Sequence, residues 1–178
     1  MKTLILGGIK SGKSKLAEVL ATESEKNVTL IATAAAKDIA KDIEMQARIE
    51  HHKRSRPPNW LVIEESLTLA DALMQPLENN DYIIIDCLTL WVTNLLLDKD
   101  KATLAKETTA LLDTLSASSG TVTMISNETS MGIIPMGELT RRFCDETGLL
   151  HQKLASQCDN VVLAIAGQPM ALKGSINV

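Results

Sequence analysis

The run Gly7-Gly8-Ile9-Lys10-Ser11-Gly12-Lys13-Ser14 matches G-x-x-x-x-G-K-[ST] in full. The motif constrains the fold because it works only between a strand and a helix. Both flanks are predicted here. Thr3-Leu4-Ile5-Leu6 reads as a buried strand, and Ser14 to Lys26 as a helix. A loop between them aims successive backbone N–H groups at phosphate oxygens, backed by the positive end of the helix. Lys13 is then placed to reach β- and γ-phosphates, and the Ser14 hydroxyl to complete a Mg²⁺ shell. The expected ligand is a nucleoside triphosphate.

The rest of the chain repeats this strand–helix unit. Short aliphatic, β-branched runs occur at Thr3–Leu6, Val28–Thr33, Trp60–Ile63, Tyr82–Asp86, Val122–Ser126 and Val161–Ala166. Their near-continuous apolar character predicts strands covered on both faces of a mostly parallel sheet. Helices are predicted between them, over Ser14–Lys26, about Asp38–Arg54, Leu88–Leu97, Thr103–Ser116 and Gly137–Ala155. This alternation is that of a doubly wound α/β domain, which holds its ligands beyond the carboxyl ends of its strands. Ser116–Gly120 reads as a connection, Asp98–Lys101 as a charged loop, and the tail after Lys173 carries no pattern.

At 178 residues the chain suits one domain, and aromatics at 2% demand an aliphatic core. A net charge of −4 offers no general attraction for nucleic acid or anionic lipid. Cys87, Cys144 and Cys158 are odd in number and far apart, against a disulfide framework or a zinc site. No stretch has the length of a membrane span or a signal-peptide core, so a cytoplasmic setting is expected.

Further candidates follow strand ends. Tyr82-Ile83-Ile84-Ile85-Asp86 has the shape of a Walker B strand, whose terminal carboxylate can hold Mg²⁺ opposite Ser14. In Arg48-Ile49-Glu50-His51-His52-Lys53-Arg54 two adjacent histidines end a predicted helix, with Arg56 and Pro57-Pro58 following. From the residues alone a basic helix end complementing the macrodipole is the better fit, and the alternative is a nucleophilic or acid–base histidine beside phosphate-binding cations. Adjacent helical residues point about 100° apart, so only one imidazole can face a given site, and helical phase does not choose between them. Ser126-Asn127-Glu128 is either a turn or a contact to substrate or γ-phosphate. Arg141 and Arg142 read as solvated or salt-bridged, with a phosphate role the alternative, and His151 as structural. Glu64 has no role that physics alone assigns.

Together these segments resemble the bifunctional adenosylcobinamide kinase / adenosylcobinamide-phosphate guanylyltransferase family of cobalamin biosynthesis. The resemblance runs from Leu4 to Lys173. It is carried by the P-loop, Ile31-Ala32-Thr33, Arg48 to Lys53, Arg56-Pro57 with Trp60, Asp86 to Leu95, Ser126-Asn127-Glu128 with Met131-Gly132-Ile133-Ile134-Pro135, and Ala166-Gly167. It implies a RecA-like P-loop fold and two reactions. The terminal phosphate of ATP or GTP goes to the aminopropanol hydroxyl of adenosylcobinamide. An enzyme histidine then takes GMP from GTP and passes it to adenosylcobinamide phosphate, giving adenosylcobinamide-GDP.

By the same resemblance, Gly7, Gly8, Ile9, Lys10, Ser11, Gly12, Lys13 and Ser14 bind the triphosphate. Thr33, Ala34, Ala35, Glu64 and Asp86 fall on nucleotide-binding positions. His51 aligns with the guanylylated residue, with His52, Lys53, Arg54 and Ser55 beside it on the nucleotide. Lys13 and His51 are the implied catalytic residues, Ser14 and Asp86 the implied Mg²⁺ ligands, and a homo-oligomer, a trimer in particular, the implied assembly. Without the resemblance, the residues also fit a P-loop small-molecule kinase with no covalent intermediate, or a GTP-dependent switch. A switch is the poorer fit, since no N-K-x-D guanine-reading motif is present.

Overall fold

The computed structural model describes residues 1–34, 57–98 and 103–176. In chain order these form β1 (Lys2–Gly7), α1 (Lys13–Glu23), β2 (Val28–Ala32), β3 (Leu61–Glu64), α2 (Leu69–Glu78), β4 (Tyr82–Asp86), α3 (Leu88–Leu97), α4 (Thr103–Ala117), β5 (Thr121–Asn127), α5 (Glu138–Gln157), β6 (Asn160–Ile165) and β7 (Gln168–Lys173). The strands make one sheet in the order β3-β2-β4-β5-β1-β6-β7. All neighbouring pairs are parallel except β6 with β7. This is the P-loop, RecA-like arrangement expected, with β5 inserted between the P-loop strand and the strand ending in Asp86.

The aliphatic runs are continuous because both faces of the central strands are covered. On one face Leu4, Leu6, Ile83, Ile85, Val122 and Met124 pack against Leu73 of α2, Trp91 of α3, Leu111 of α4 and Leu154 of α5. On the other, Ile5, Leu30, Ile84, Ile125 and Val162 meet Leu16, Ala17 and Ala21 of α1. Each fully buried Leu, Ile or Val contributes about 1.5–3 kcal/mol relative to exposure. Trp91 ties its indole to this core by donating to the Leu67 carbonyl at 2.7 Å.

The structure corrects four points. β3 is an edge strand with Leu61 and Val62 exposed, not a strand covered on both faces. α2 was not predicted, because Pro76 in its last turn argues against a helix; Leu69, Ala70, Leu73 and Pro76 nevertheless bury one face. β7 was not predicted either, as every residue in it is exposed and it contains Pro169, which an edge strand tolerates. Ala166 (φ 51°) and Gly167 (φ 79°) form the two-residue turn joining β6 to β7, the left-handed pair that suits hairpin twist. α1 stops at Glu23 rather than Lys26, as Glu25 takes φ 56°. The predicted helix at about Asp38–Arg54 lies outside the described residues, as do residues 99–101 of the predicted loop Asp98–Lys101. No helix among the described residues is long and apolar enough to cross a membrane.

The turn before α2 is held by a carboxylate. Glu65 Oε1 accepts the backbone N–H groups of Leu67 at 2.7 Å and Thr68 at 2.9 Å. Burial pushes the Glu65 pKa up, but these bonds outweigh it and hold it below the ordinary value. A depressed carboxyl pKa adds stability above the unfolded-state pKa, lost as pH falls through the folded one. Glu65→Ala is expected to cost about 1 kcal/mol, or roughly 2–4 °C in Tm. Thermal melts should show the gap from wild type closing as pH drops below the glutamate range.

Candidate active site

Parallel register gathers the motifs on one edge. Glu64 of β3 pairs with Ala32, Ala32 with Asp86 of β4, and Asp86 with Ile125 of β5. Asn127 then lies opposite Gly7 of β1, and Gly7 opposite Ala164 of β6. The carboxyl ends of six strands therefore carry the P-loop, Thr33, Glu64, Asp86, Glu128 and the Ala166–Gly167 turn. A larger hollow of about 220 Å³, lined by Lys2, Leu115, Leu154 and Asp159, sits at the opposite edge, without these groups.

The P-loop is built tightly. Gly7 (φ 154°) and Gly12 (φ 101°) take positive φ, and Lys10 is left-handed at φ 54°. The β6–β7 turn braces the loop: the Gly167 N–H donates to the Ser11 carbonyl at 2.9 Å, and a Cβ on Gly12 would lie 3.0 Å from Gly167 Cα. Gly8, Ile9 and Lys10 are exposed, whereas Ser11 is buried and its Oγ has no hydrogen-bond partner among the described residues. Lys13 is only 7% exposed and folds back over the loop, donating to the carbonyls of Gly7 at 3.0 Å and Gly8 at 2.6 Å. Burial pulls its pKa down, against Cys87 and Asp86, which pull it up.

Ser14, at the start of α1, and Asp86, at the end of β4, line the same cleft, along with Glu18 and Trp60. Thr33 is fully buried and stitches β2 to the residue after β4. Its backbone N–H donates to the Asp86 carbonyl at 3.1 Å, its Oγ1 donates to the Cys87 carbonyl at 2.7 Å, and that same oxygen accepts the Cys87 N–H at 2.9 Å. Asn94 of α3 closes the back of this corner, donating to the carbonyls of Thr33 at 2.8 Å and Ser66 at 3.1 Å. Ala34 follows, half-buried, and Glu64 is exposed at the sheet edge.

On the α5 side of the edge lies a group the sequence left open. The Glu128 N–H donates to the Gly7 carbonyl at 3.0 Å. Glu128 Oε1 accepts from the Ser130 N–H at 2.7 Å and from the Ser130 hydroxyl. Its Oε2 faces His151 Nδ1 at 3.9 Å, and His151 Nε2 is 2.7 Å from Ser126 Oγ. Burial lowers the His151 pKa, outweighing the pull of Glu128. Burial raises the Glu128 pKa, but Ser130 and His151 bring it below the ordinary value. Arg141 Nη1 donates to the carbonyls of Pro135 at 3.2 Å and of Met136.

A family model described as cobinamide kinase / cobinamide phosphate guanyltransferase matches residues 3–172. The chain belongs to that family. As a cobinamide kinase and guanylyltransferase it is 49% identical over 174 residues to the bifunctional adenosylcobalamin biosynthesis protein CobP of Pseudomonas aeruginosa, covering 98% of each chain. It is 33% identical over 186 residues to the bifunctional protein CobU of Escherichia coli, with 97% of this chain and 100% of that one covered. Among solved structures, a Pyrococcus horikoshii protein known as Project ID PH0250 aligns with a TM-score of 0.52 at 9% identity, over 99% of this chain and 87% of its own. That likeness concerns the fold.

For this cobinamide kinase and guanylyltransferase the described residues place Gly7 to Ser14, Thr33, Ala34, Glu64 and Asp86 along the carboxyl edge of the sheet, with Ser14 and Asp86 in one cleft. Ala35, His51, His52, Lys53, Arg54 and Ser55 lie outside the described residues. The Glu128–His151 contact was not predicted, because 23 positions separate the two and no local spacing announces it.

Proposed function

We propose that the chain runs both transfers at the carboxyl edge of its sheet, with ATP or GTP as phosphoryl donor and GTP as guanylyl donor. The observation that supports this is the placing of Lys13, Ser14, Thr33, Glu64 and Asp86 along one edge of the sheet, with Ser14 and Asp86 in one cleft. In the kinase step the aminopropanol hydroxyl of adenosylcobinamide attacks the γ-phosphorus. The new O–P bond forms as the bridge to the nucleoside diphosphate breaks. Backbone N–H groups of Gly7 to Ser14 cradle the phosphates, and Lys13 exchanges the carbonyls of Gly7 and Gly8 for β- and γ-oxygens.

Ser14 and Asp86 would hold Mg²⁺. A hydroxyl and a carboxylate in one cleft suit an ion bound by few protein oxygens. When bound, the ion offsets charge on the phosphate oxygens.

In the second reaction a nitrogen of His51 attacks the α-phosphorus of GTP and pyrophosphate leaves. The guanylyl group then passes to a phosphate oxygen of adenosylcobinamide phosphate, restoring the imidazole and giving adenosylcobinamide-GDP. A neutral imidazole is a competent nucleophile near pH 7, and splitting the transfer divides one barrier into two. Lys53 and Arg54 would balance phosphate charge, with His52, Ser55, Thr33, Ala34, Ala35 and Glu64 on the nucleotide.

The test is labelling with GTP carrying the label at the α- or the γ-phosphate, on wild type, His51→Ala and His52→Ala. Acid-labile protein label should come from the α position only and vanish in His51→Ala. Loss in His52→Ala alone would move the nucleophile by one residue. Absence of label in wild type, with nucleotide binding intact, would leave a kinase without a covalent intermediate.

A further inference from the structure

We infer that Glu128 is a catalytic residue of the kinase step, the group that takes the proton from the acceptor hydroxyl, and that His151 positions it. The assignment rests on the phosphoryl-transfer reading above. It begins from where the two carboxylates at this edge sit. Asp86 shares its cleft with Ser14 and Glu18 on the α1 face of the sheet. Glu128 belongs to the opposite face, where Ser126 and His151 meet between β5 and α5. The P-loop arches over the edge between them, and the Glu128 N–H is bonded to its first glycine at 3.0 Å.

Phosphoryl transfer is in-line, so the attacking oxygen and the leaving oxygen lie on opposite sides of the phosphorus. With the α1 face given to Ser14 and Asp86, an acceptor approaching from the α5 side meets Glu128. The carboxylate is prepared for that task. One oxygen is fixed by both donors of Ser130, and the other faces the imidazole of His151, itself held by Ser126, which is fully buried. The Glu128 side chain is 14% exposed, enough to be reached and too little to be freely solvated. Each carboxylate oxygen has two lone pairs, so Oε2 can face His151 and still accept from a hydroxyl.

The step balances simply. The hydroxyl proton passes to Glu128 Oε2 as the hydroxyl oxygen bonds to phosphorus. The bridging P–O bond breaks, the nucleoside diphosphate leaves with the electron pair, and Glu128 returns its proton to solvent. His151, held by Ser126, sets the direction of the carboxylate.

The experiment measures steady-state phosphorylation of adenosylcobinamide and guanylyl labelling from α-labelled GTP side by side, for wild type, Glu128→Gln and Glu128→Asp. Glu128→Gln should lower the kinase kcat by about 10²–10⁴-fold, the usual share of a general base, with nucleotide KM within a few-fold. Labelling should fall by far less, and the kinase pH profile should lose its acidic limb. A Glu128→Gln kinase kcat within about 3-fold of an active wild type would overturn the assignment. If Glu128→Gln melts early, Glu128→Asp decides: selective kinase loss supports the assignment, and equal loss of both activities overturns it. A wild type that labels but does not phosphorylate would instead refute the reading on which the assignment rests.

Discussion

Lys13→Ala is expected to reduce phosphoryl transfer by about 10²–10³-fold while leaving the fold standing. An ammonium group in a site shielded from water acts on developing phosphate charge through a low effective dielectric, and removing one such contact costs about 3–4 kcal/mol or more. Two features of this lysine support an effect at that upper end. It is almost completely buried, and its Nζ lies within 3.0 Å of both loop carbonyls, over the loop that would receive the phosphates.

The fold should lose little, because the substitution also removes the cost of burying a charge. That cost shows in the downward pull of burial on the Lys13 pKa. The check is kcat with ATP and with GTP, alongside the rise in Tm that nucleotide produces. Wild type should gain stability with nucleotide by mass action, and Lys13→Ala should gain much less. Lys13→Arg should fail nearly as badly, since a planar fork cannot replace a compact ammonium over two carbonyls. An alanine variant with near-normal kcat would remove the P-loop from the chemistry.

What the sequence disclosed was whatever depends on neighbours along the chain. The P-loop needs only eight consecutive residues between a strand and a helix, and both flanks carry their own periodicity. The central strands announce themselves because Leu4 with Leu6 serve one face while Ile5 serves the other, so aliphatic residues run nearly unbroken along them. Asp86 could be placed opposite Ser14 because strand-end position follows from strand boundaries. The elements that escaped depend on tertiary context. Pro76 opposes helix locally, yet the α2 stripe beginning at Leu69 has the core to bury against. β7 has no buried face to create a pattern; it exists because the Ala166–Gly167 turn returns the chain along β6.

The same distinction governs the site. Ser126-Asn127-Glu128 is visible as polar residues after a strand, but its meaning comes from α5, which delivers His151 to Ser126 Oγ. No spacing rule links a strand end to the middle of a later helix. The bracing of the loop by Gly167 is likewise invisible beforehand, since nothing along the chain ties Ala166-Gly167 to the P-loop until the sheet order sets β6 beside β1.

That bracing leads to the other large effect, which concerns three glycines of one loop that should respond differently to the same methyl group. Gly7 lies between β5 and β6 at φ 154°, and a Cβ there would sit 2.4 Å from the Ala164 carbonyl oxygen and 2.6 Å from Ser11 Oγ. The serine can rotate away, but the carbonyl belongs to a paired strand and cannot. Gly7→Ala is therefore expected to cost about 2–4 kcal/mol from overpacking and backbone strain together. At this chain length that is roughly 5–15 °C in Tm.

Gly12→Ala meets Gly167 Cα at 3.0 Å with φ 101°, so it should cost somewhat less, by displacing the hairpin turn and the Gly167-to-Ser11 bond. At Gly8 an added Cβ has nothing within 4 Å, and Gly8→Ala should melt within about 1 °C of wild type. Nucleotide titration of the folded Gly7→Ala protein should show affinity reduced by more than about 10²-fold, since N–H groups moved by an ångström no longer converge on phosphate. Equal melting temperatures for the Gly7 and Gly8 variants would mean that β6 yields to the loop, and that the close seat of the P-loop against Ala164 is not what shapes it.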